Sequence, residues 1–326
     1  GNTAVGSNAM LSVTTGGGNT AVGWLALDAL TDGASNVAMG YHALSTAGSP
    51  SSTIAIGMDA CGDGNLSTAG TVVIGHAAGH KLSSSLGSIA IGYQALKTHT
   101  EGSRNMAIGY GAMNDTNATA AADGGAGGSP GTLASVDNIF IGYDSGGGTW
   151  AGSDSNSNVG IGNYVMDAAM DGALNNTAMG HLAGTAITTG SQNTLLGFQA
   201  GKGTTTGQSN TFIGQNAGDT MTTRYYNTCV GQNAGTAVND SAGHGGVQAF
   251  GYNALSAMTT GSQNTAVGYN AGDTTTTGSF NTFVGWESDA DAVGDSYQTR
   301  IGHYGALRYM TAQITMDDFT TVAAND

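Results

Sequence analysis

The residues able to do chemistry are few and poorly grouped. His76 and His80 could share a metal ion if they lay on one helical face, but Ala77-Ala78-Gly79 between them reads as a turn. Cys61 and Cys229 stand far apart without the CxxC spacing of a zinc or redox site, and read as small apolar residues. No Ser/His/Asp or Cys/His arrangement stands out. The sequence therefore predicts no catalytic, cofactor-binding or metal-binding residue and no enzymatic activity. What remains is recognition. Trp150, Arg224, Tyr225 and Tyr226 fall in segments that read as loops, the usual carriers of recognition on a rigid scaffold, and they are the candidate contacts with a receptor or glycan.

The elements that would position these residues follow from composition and repetition. The chain has 326 residues, of which 56 are Gly and 2 are Pro, with 7 basic against 22 acidic side chains and a net charge of −15. The basic residues are scattered, which argues against nucleic-acid binding, since phosphate neutralisation needs a clustered basic face. No apolar run approaches the roughly 18 residues of a membrane-spanning helix. Gly is not spaced every third residue, so the chain is not collagen. An apolar content of 39% with so little charge argues against disorder.

A short phrase recurs from end to end, as in Asn2-Thr-Ala-Val-Gly6, Asn193-Thr-Leu-Leu-Gly197 and Asn281-Thr-Phe-Val-Gly285. Its anchor glycines run from Gly6 through Gly23, Gly40 and Gly57 to Gly302. They make 17 copies, and 11 of the 16 intervals are 17 residues long. That unit is too short for a helical hairpin, and Gly, Thr and Asn are poor helix formers. The expected fold is all-β: a parallel β-solenoid of about 17 coils, stacked ~4.8 Å apart into a rod of roughly 80 Å. The solenoid is expected over residues 1–302, with an insertion at 113–138, and residues 303–326 form a C-terminal cap or junction segment. Asn four residues before the anchor, present in 12 copies, suggests a stacked amide ladder. Gly seven residues before the anchor suggests a turn needing positive φ. Ala three residues after the anchor, in 13 copies, suggests a tight inward position.

Side chains alternate along a strand, so neighbouring columns face opposite ways. The residue just before the anchor is apolar in all 17 copies and is expected to form the core. The residue before that is also apolar in most copies: Ala4, Ala21, Ala38, Ala55, Val73, Ala90, Ala107, Phe140, Ala178, Leu195, Phe212, Cys229, Ala249, Ala266 and Phe283. It is expected to form an outward stripe for lateral self-association, because a strand apolar on both faces is buried on both. Aromatic residues follow the anchor in nine copies, among them Trp24, Tyr41, Tyr93, Tyr110 and Tyr143. They read as a packing column rather than a sugar site.

The phrase Asn-x-Ala-Val/Ile-Gly-x-x-Ala resembles the head repeats of trimeric autotransporter adhesins, and Asn264-Thr-Ala-Val-Gly-Tyr-Asn-Ala271 resembles repeats of bacteriophage tail fibres. The resemblance covers nearly the whole chain. It implies a left-handed β-roll, three chains side by side, and a structural or adhesive role outside the cell or on a virion surface. The family's usual coil is shorter than 17 residues, which implies longer turns here. The expected function is a rigid fibre segment and possible receptor-binding rod, forming a homo-oligomer without nucleic acid or membrane insertion. The chain starts inside a repeat at Gly1-Asn2-Thr3, as a trimmed product or a subunit stacking end to end would. An end-to-end filament is therefore the alternative. Ice binding by the Thr column and glycan cleavage by sites between chains are weaker alternatives.

Overall fold

The computed structural model describes residues 1–116, 134–150, 152–238 and 245–303. It contains seventeen three-residue strands, from Thr3–Val5 to Thr299–Ile301, each centred two residues before an anchor glycine. Each strand pairs in parallel with the next in the chain, in register, as in Thr177↔Thr194↔Thr211↔Thr228. The result is a parallel β-solenoid of about sixteen turns, the architecture expected from the repeat, with seventeen strands matching its 17 copies. No helix among the described residues is long and apolar enough to cross a membrane.

Only three residues per coil are regular strand, yet the ladder continues around the turn. In one coil Val37 N–H donates forward to Thr53 O (2.9 Å) and Gly40 N–H back to Val22 O (2.8 Å). Beyond the anchor, His42 N–H again donates back, to Trp24 O (3.0 Å), and Leu44 N–H forward, to Ala60 O (2.9 Å). Alternating backbone handedness makes this possible: His42 and Leu44 have φ of 55° and 54°. Left-handed φ is unfavourable for a residue with a Cβ. Here the loss is offset by hydrogen bonds to both neighbouring coils, so single coils cannot hold the shape and stacked ones can.

The anchor glycine is obligatory on two grounds. Gly197 has φ of 138°, and a Cβ there would lie 2.6 Å from Gly214 O of the next coil. Of the glycines seven residues before the anchor, Gly102 has the expected positive φ, at 108°, and the other six have a different reason. Gly190 and Gly207 are not among the positive-φ residues; instead an added Cβ would stand 2.7 Å from Gly207 O and 2.6 Å from Arg224 O respectively. The left-handed residue of that turn lies two positions later, and Ser35, Gln192 and Tyr226 all occupy it.

The interior is built from four columns, and it reverses one expectation. The column two before the anchor points inward, and the column beside the anchor points out. Ala21, Ala38, Ala55, Val73, Ala90, Ala107, Phe140, Ala178, Leu195, Phe212, Cys229, Ala249, Ala266 and Phe283 are all 0% exposed, so they cannot form a self-association stripe. Ala4, in the first coil, is exposed. The lumen is narrow at the Ala26 column, three after the anchor, which holds small residues and is buried as expected.

The remaining inward columns are the Leu27 column, four after the anchor, and a floor that includes Leu30, Leu82, Met170, Ile187, Met221 and Met258. The Ala21 and Leu27 columns exchange volume, within a coil or between neighbouring coils, as where Leu195 reaches the space over Gly184. Ala38 faces Leu44 and Ala90 faces Leu96, whereas Phe140 comes with Gly146, Phe212 with Gly218 and Cys229 with Gly235. A Cβ on Gly218 would meet the Phe212 ring at 2.7 Å, and one on Gly235 would meet Cys229 Sγ at 2.7 Å. Total volume is kept at native density while the two sites trade it.

The expected amide ladder is present. Asn193 donates from Nδ2 to Asn176 Oδ1 (3.0 Å) and Gly207 O (2.8 Å), and its Oδ1 accepts from the backbone N (3.1 Å) and Nδ2 (3.0 Å) of Asn210. The bond to Gly207 O explains why that carbonyl is drawn so close to the preceding coil. Thr53, Thr71 and Ser88 interrupt the ladder between Asn36 and Asn105.

Candidate functional site

The most distinctive surface is the outward face of the sheet, formed by the residues three and one before each anchor. Neither column contains Asp, Glu, Lys or Arg in any coil. From Val37 to Ile161 both are aliphatic: Val37/Met39, Ile54/Ile56, Val72/Ile74, Ile89/Ile91, Met106/Ile108, Ile139/Ile141 and Val159/Ile161. These side chains are half-buried by one another, and Met39 reaches 43% exposure. From Thr177 to Ile301 the first column becomes Thr, apart from Gln248, while the second stays apolar. The strands are therefore apolar on two faces, as inferred from sequence, but the outward face consists of the larger residues.

An aromatic column just after the anchor borders this face. Tyr93, Tyr110 and Tyr143 stack with ring centroids 4.8 and 5.2 Å apart and interplanar angles of 11° and 9°. His76 continues the stack below Tyr93 at 5.1 Å. Trp24 stacks on Tyr41 at 4.9 Å, and Tyr252 on Tyr269 at 5.1 Å. Within each stack the facing ring surfaces are occupied by one another, which suits packing better than sugar stacking. The Asp144 carboxylate beside Tyr143, and Tyr164 next to it, hold that phenol above its ordinary pKa.

Of the candidate contacts, Tyr225 and Tyr226 are exposed, at 42% and 67%, with rings edge to face at 5.5 Å. Trp150 and Arg224 are not on the surface. Trp150 is 1% exposed, fills the interior floor and meets Phe140 edge-on at 5.7 Å. Its environment is the one that Leu, Ile and Met occupy in other coils, which is the signal a column-by-column alignment would have caught. Arg224 is fully buried in the column that elsewhere holds Gly207 or Gly261. It donates from Nη1 to Gly261 O (3.0 Å) and from Nη2 to Thr260 O (3.2 Å). Neither residue can meet a receptor without unfolding its coil.

The titratable groups are engaged structurally. His80 turns to Asp63 (3.0 Å) and Asp59 O (3.2 Å), away from His76. Both cysteines are fully buried, and burial pushes the Cys61 thiol up to about 12, so neither is poised as a nucleophile. His99 stands in the interior floor, where burial lowers its pKa to about 4. Asn105 Nδ2 lies 3.1 Å from its Nε2 and Thr116 Oγ1 3.0 Å from its Nδ1, as a neutral ring protonated on Nδ1 would have them. Near the other end, burial and a hydrogen bond with Asp273 raise the Asp289 carboxyl above the usual range. Arg104 and Asp137 form an exposed two-pronged pair (2.5 and 2.8 Å) across the long interval between Gly109 and Gly142. Most of the proposed insertion and all of 304–326 lie outside the described residues.

No protein-family model matches this chain, and no curated protein matches it significantly.

Proposed function

We propose that the chain is a structural segment of an extracellular fibre, of the phage tail-fibre or surface-adhesin kind, which associates side by side with copies of itself. The observation that carries this reading is the uncharged aliphatic face from Val37 to Ile161, two columns wide and seven coils long. A contiguous apolar surface of that extent is unusual on a monomer in water. A second copy has the same coil rise, so its columns can match these over the whole length. Three chains, and a location outside the cell or on a virion, are supported by the adhesin-like and tail-fibre-like repeats. Tyr225 and Tyr226 are the remaining candidates for a receptor or glycan contact.

Light-scattering mass combined with electron microscopy tests the assembly. The expected particle is a rod of roughly 75 Å with the mass of three chains; a particle of one-chain mass would overturn the reading. Replacing Ile91 and Ile108 with Asp places charge on the outward face. The double variant is expected to keep its β-sheet circular dichroism and fall to one-chain mass. Ala178→Asp, which points inward, should instead lose the fold.

A further inference from the structure

Exposed tyrosines on a rod are not equivalent, because only some have a second phenol held against them. Tyr93, Tyr110 and Tyr143 are 40%, 49% and 41% exposed, lie in three successive coils and are stacked nearly parallel. Tyr252 and Tyr269 repeat the arrangement at 5.1 Å and 12°. In both places the sheet register fixes the spacing, since the strands before these residues pair Cα to Cα in Met106↔Ile139 and Ala249↔Ala266. The rings are partly open to solvent, and neighbouring ring centroids stand about one coil rise apart.

We propose that these two tyrosine stacks are sites of oxidative coupling, forming dityrosine staples between successive coils of one chain. The co-reactant is a one-electron oxidant of the haem-peroxidase class consuming hydrogen peroxide. Each of two adjacent phenols gives up one electron and one proton, and the two phenoxyl radicals join through carbons ortho to oxygen. The two ortho hydrogens then shift to oxygen and restore both phenols. Two tyrosines and one hydrogen peroxide give one dityrosine and two water molecules. Holding the partners one coil apart turns an encounter between two dilute radicals into a step within one scaffold. The staple across Gly109 to Gly142 would tie coils whose connection is the longest in the chain.

The geometry makes a selective forecast. Among the described residues Tyr297 is the most exposed tyrosine, at 77%, but it stacks on Phe280, and Tyr41 stacks on Trp24. If exposure governed coupling, Tyr297 would dominate; if stacking governs it, Tyr297 and Tyr41 stay out. The test is treatment of the purified full chain with horseradish peroxidase and hydrogen peroxide, followed by denaturing electrophoresis and mass spectrometry of proteolytic peptides. Linked peptides joining Tyr93 to Tyr110, Tyr110 to Tyr143 and Tyr252 to Tyr269 are expected, each two hydrogens lighter than its parts, in a band at the one-chain mass of 32.2 kDa. Tyr110→Phe should abolish the first two links and leave the third at full yield, and Tyr269→Phe should do the reverse. Phe198 already occupies this column, so a Phe ring fits the fold. Links carried mainly in bands of two chains or more, Tyr297 links as abundant as the stacked pairs, or unchanged yields in the Phe variants would overturn the proposal. The Tyr297 comparison and the yields of the Phe variants are read within the one-chain band and do not depend on whether the rod assembles laterally.

Discussion

The two halves of the solenoid fill the same coil with different weights. Between Val37 and Ile161 three of seven coils place Ala two residues before the anchor and Leu or Met four after it, namely Ala38/Leu44, Ala90/Leu96 and Ala107/Met113, and the outward face is aliphatic in both columns. Between Thr177 and Val284 five of seven coils have Gly four residues after the anchor, and three of these invert the interior. Leu195, Phe212 and Cys229 stand opposite Gly201, Gly218 and Gly235, and the outer column turns to Thr. The amide ladder is interrupted in both, by Thr53, Thr71 and Ser88 in the first half and by Val247 in the second, where it runs unbroken from Asn176 to Asn227. Backbone geometry is common to both, so interior volume and outer polarity are free to vary independently once the ladder and anchors are in place.

The sharpest test is to convert one interior into the other. Gly218→Leu drives a side chain into Phe212 and should cost about 3 kcal/mol, at the upper end for overpacking. Adding Phe212→Ala rebuilds the Ala38/Leu44 combination and should recover most of that loss. Leu44 and Leu96 already take φ of 54° and 51° at this position, against 61° for Gly218, so backbone conformation does not forbid the exchange. A thermal-unfolding cycle over the four proteins reads the coupling, and additive losses would show that the halves are not interchangeable.

The halves should also answer pH with opposite signs. His99 binds its proton more weakly folded than unfolded, so its contribution is present above about 6.5 and is lost as pH falls toward about 4. That amounts to something on the order of 3 kcal/mol for a fully buried imidazole. Asp289 binds its proton more tightly folded than unfolded, so the last coils gain stability below the ordinary carboxylate range and lose it as pH rises through the raised value. Hydrogen exchange at pH 5 and pH 8 should show faster opening near Thr98–Asn105 at the lower pH and near Asp273–Asp289 at the higher one. His99→Gln should flatten only the first response.

A smaller effect is expected from the ladder. Asn193→Ala removes bonds to both neighbouring coils and should cost about 2 kcal/mol, whereas Asn193→Ser should cost about half as much, since Ser88 already serves in the other half. Chemical denaturation of the two variants provides the comparison. The smallest change belongs to the outer face: Thr211→Val, which makes the second half resemble the first, should alter stability by less than about 0.5 kcal/mol.

How much of this was legible in the sequence depends on what each residue must satisfy. Gly at the anchor leaves one solution, because no other residue fits both its φ and its contact with the next coil, so coil number and strand register followed from spacing alone. Asn176, Asn193 and Asn210 were legible for the same reason: an amide repeated at one spacing can bond to its own copies. The direction of the columns was not. Hydrophobicity suggested that the larger Val22 and Ile56 belonged inside and Ala21 and Ala55 outside, and the structure reverses this because the chain closes on the side of the Ala21 column, whose side chains line the lumen whether Ala21 or Phe212 stands there. Trp150 was misplaced on the surface because its irregular 20-residue interval hides which column it enters, and Arg224 because a charged side chain stands in a column that elsewhere holds Gly207 or Gly261. Sequence periodicity thus determined the ladder, the anchors and the two-faced strand, all of which depend on contacts between equivalent positions. Only the tertiary structure decided which face is the lumen, because that is set by the side on which the chain closes, a property of no single repeat.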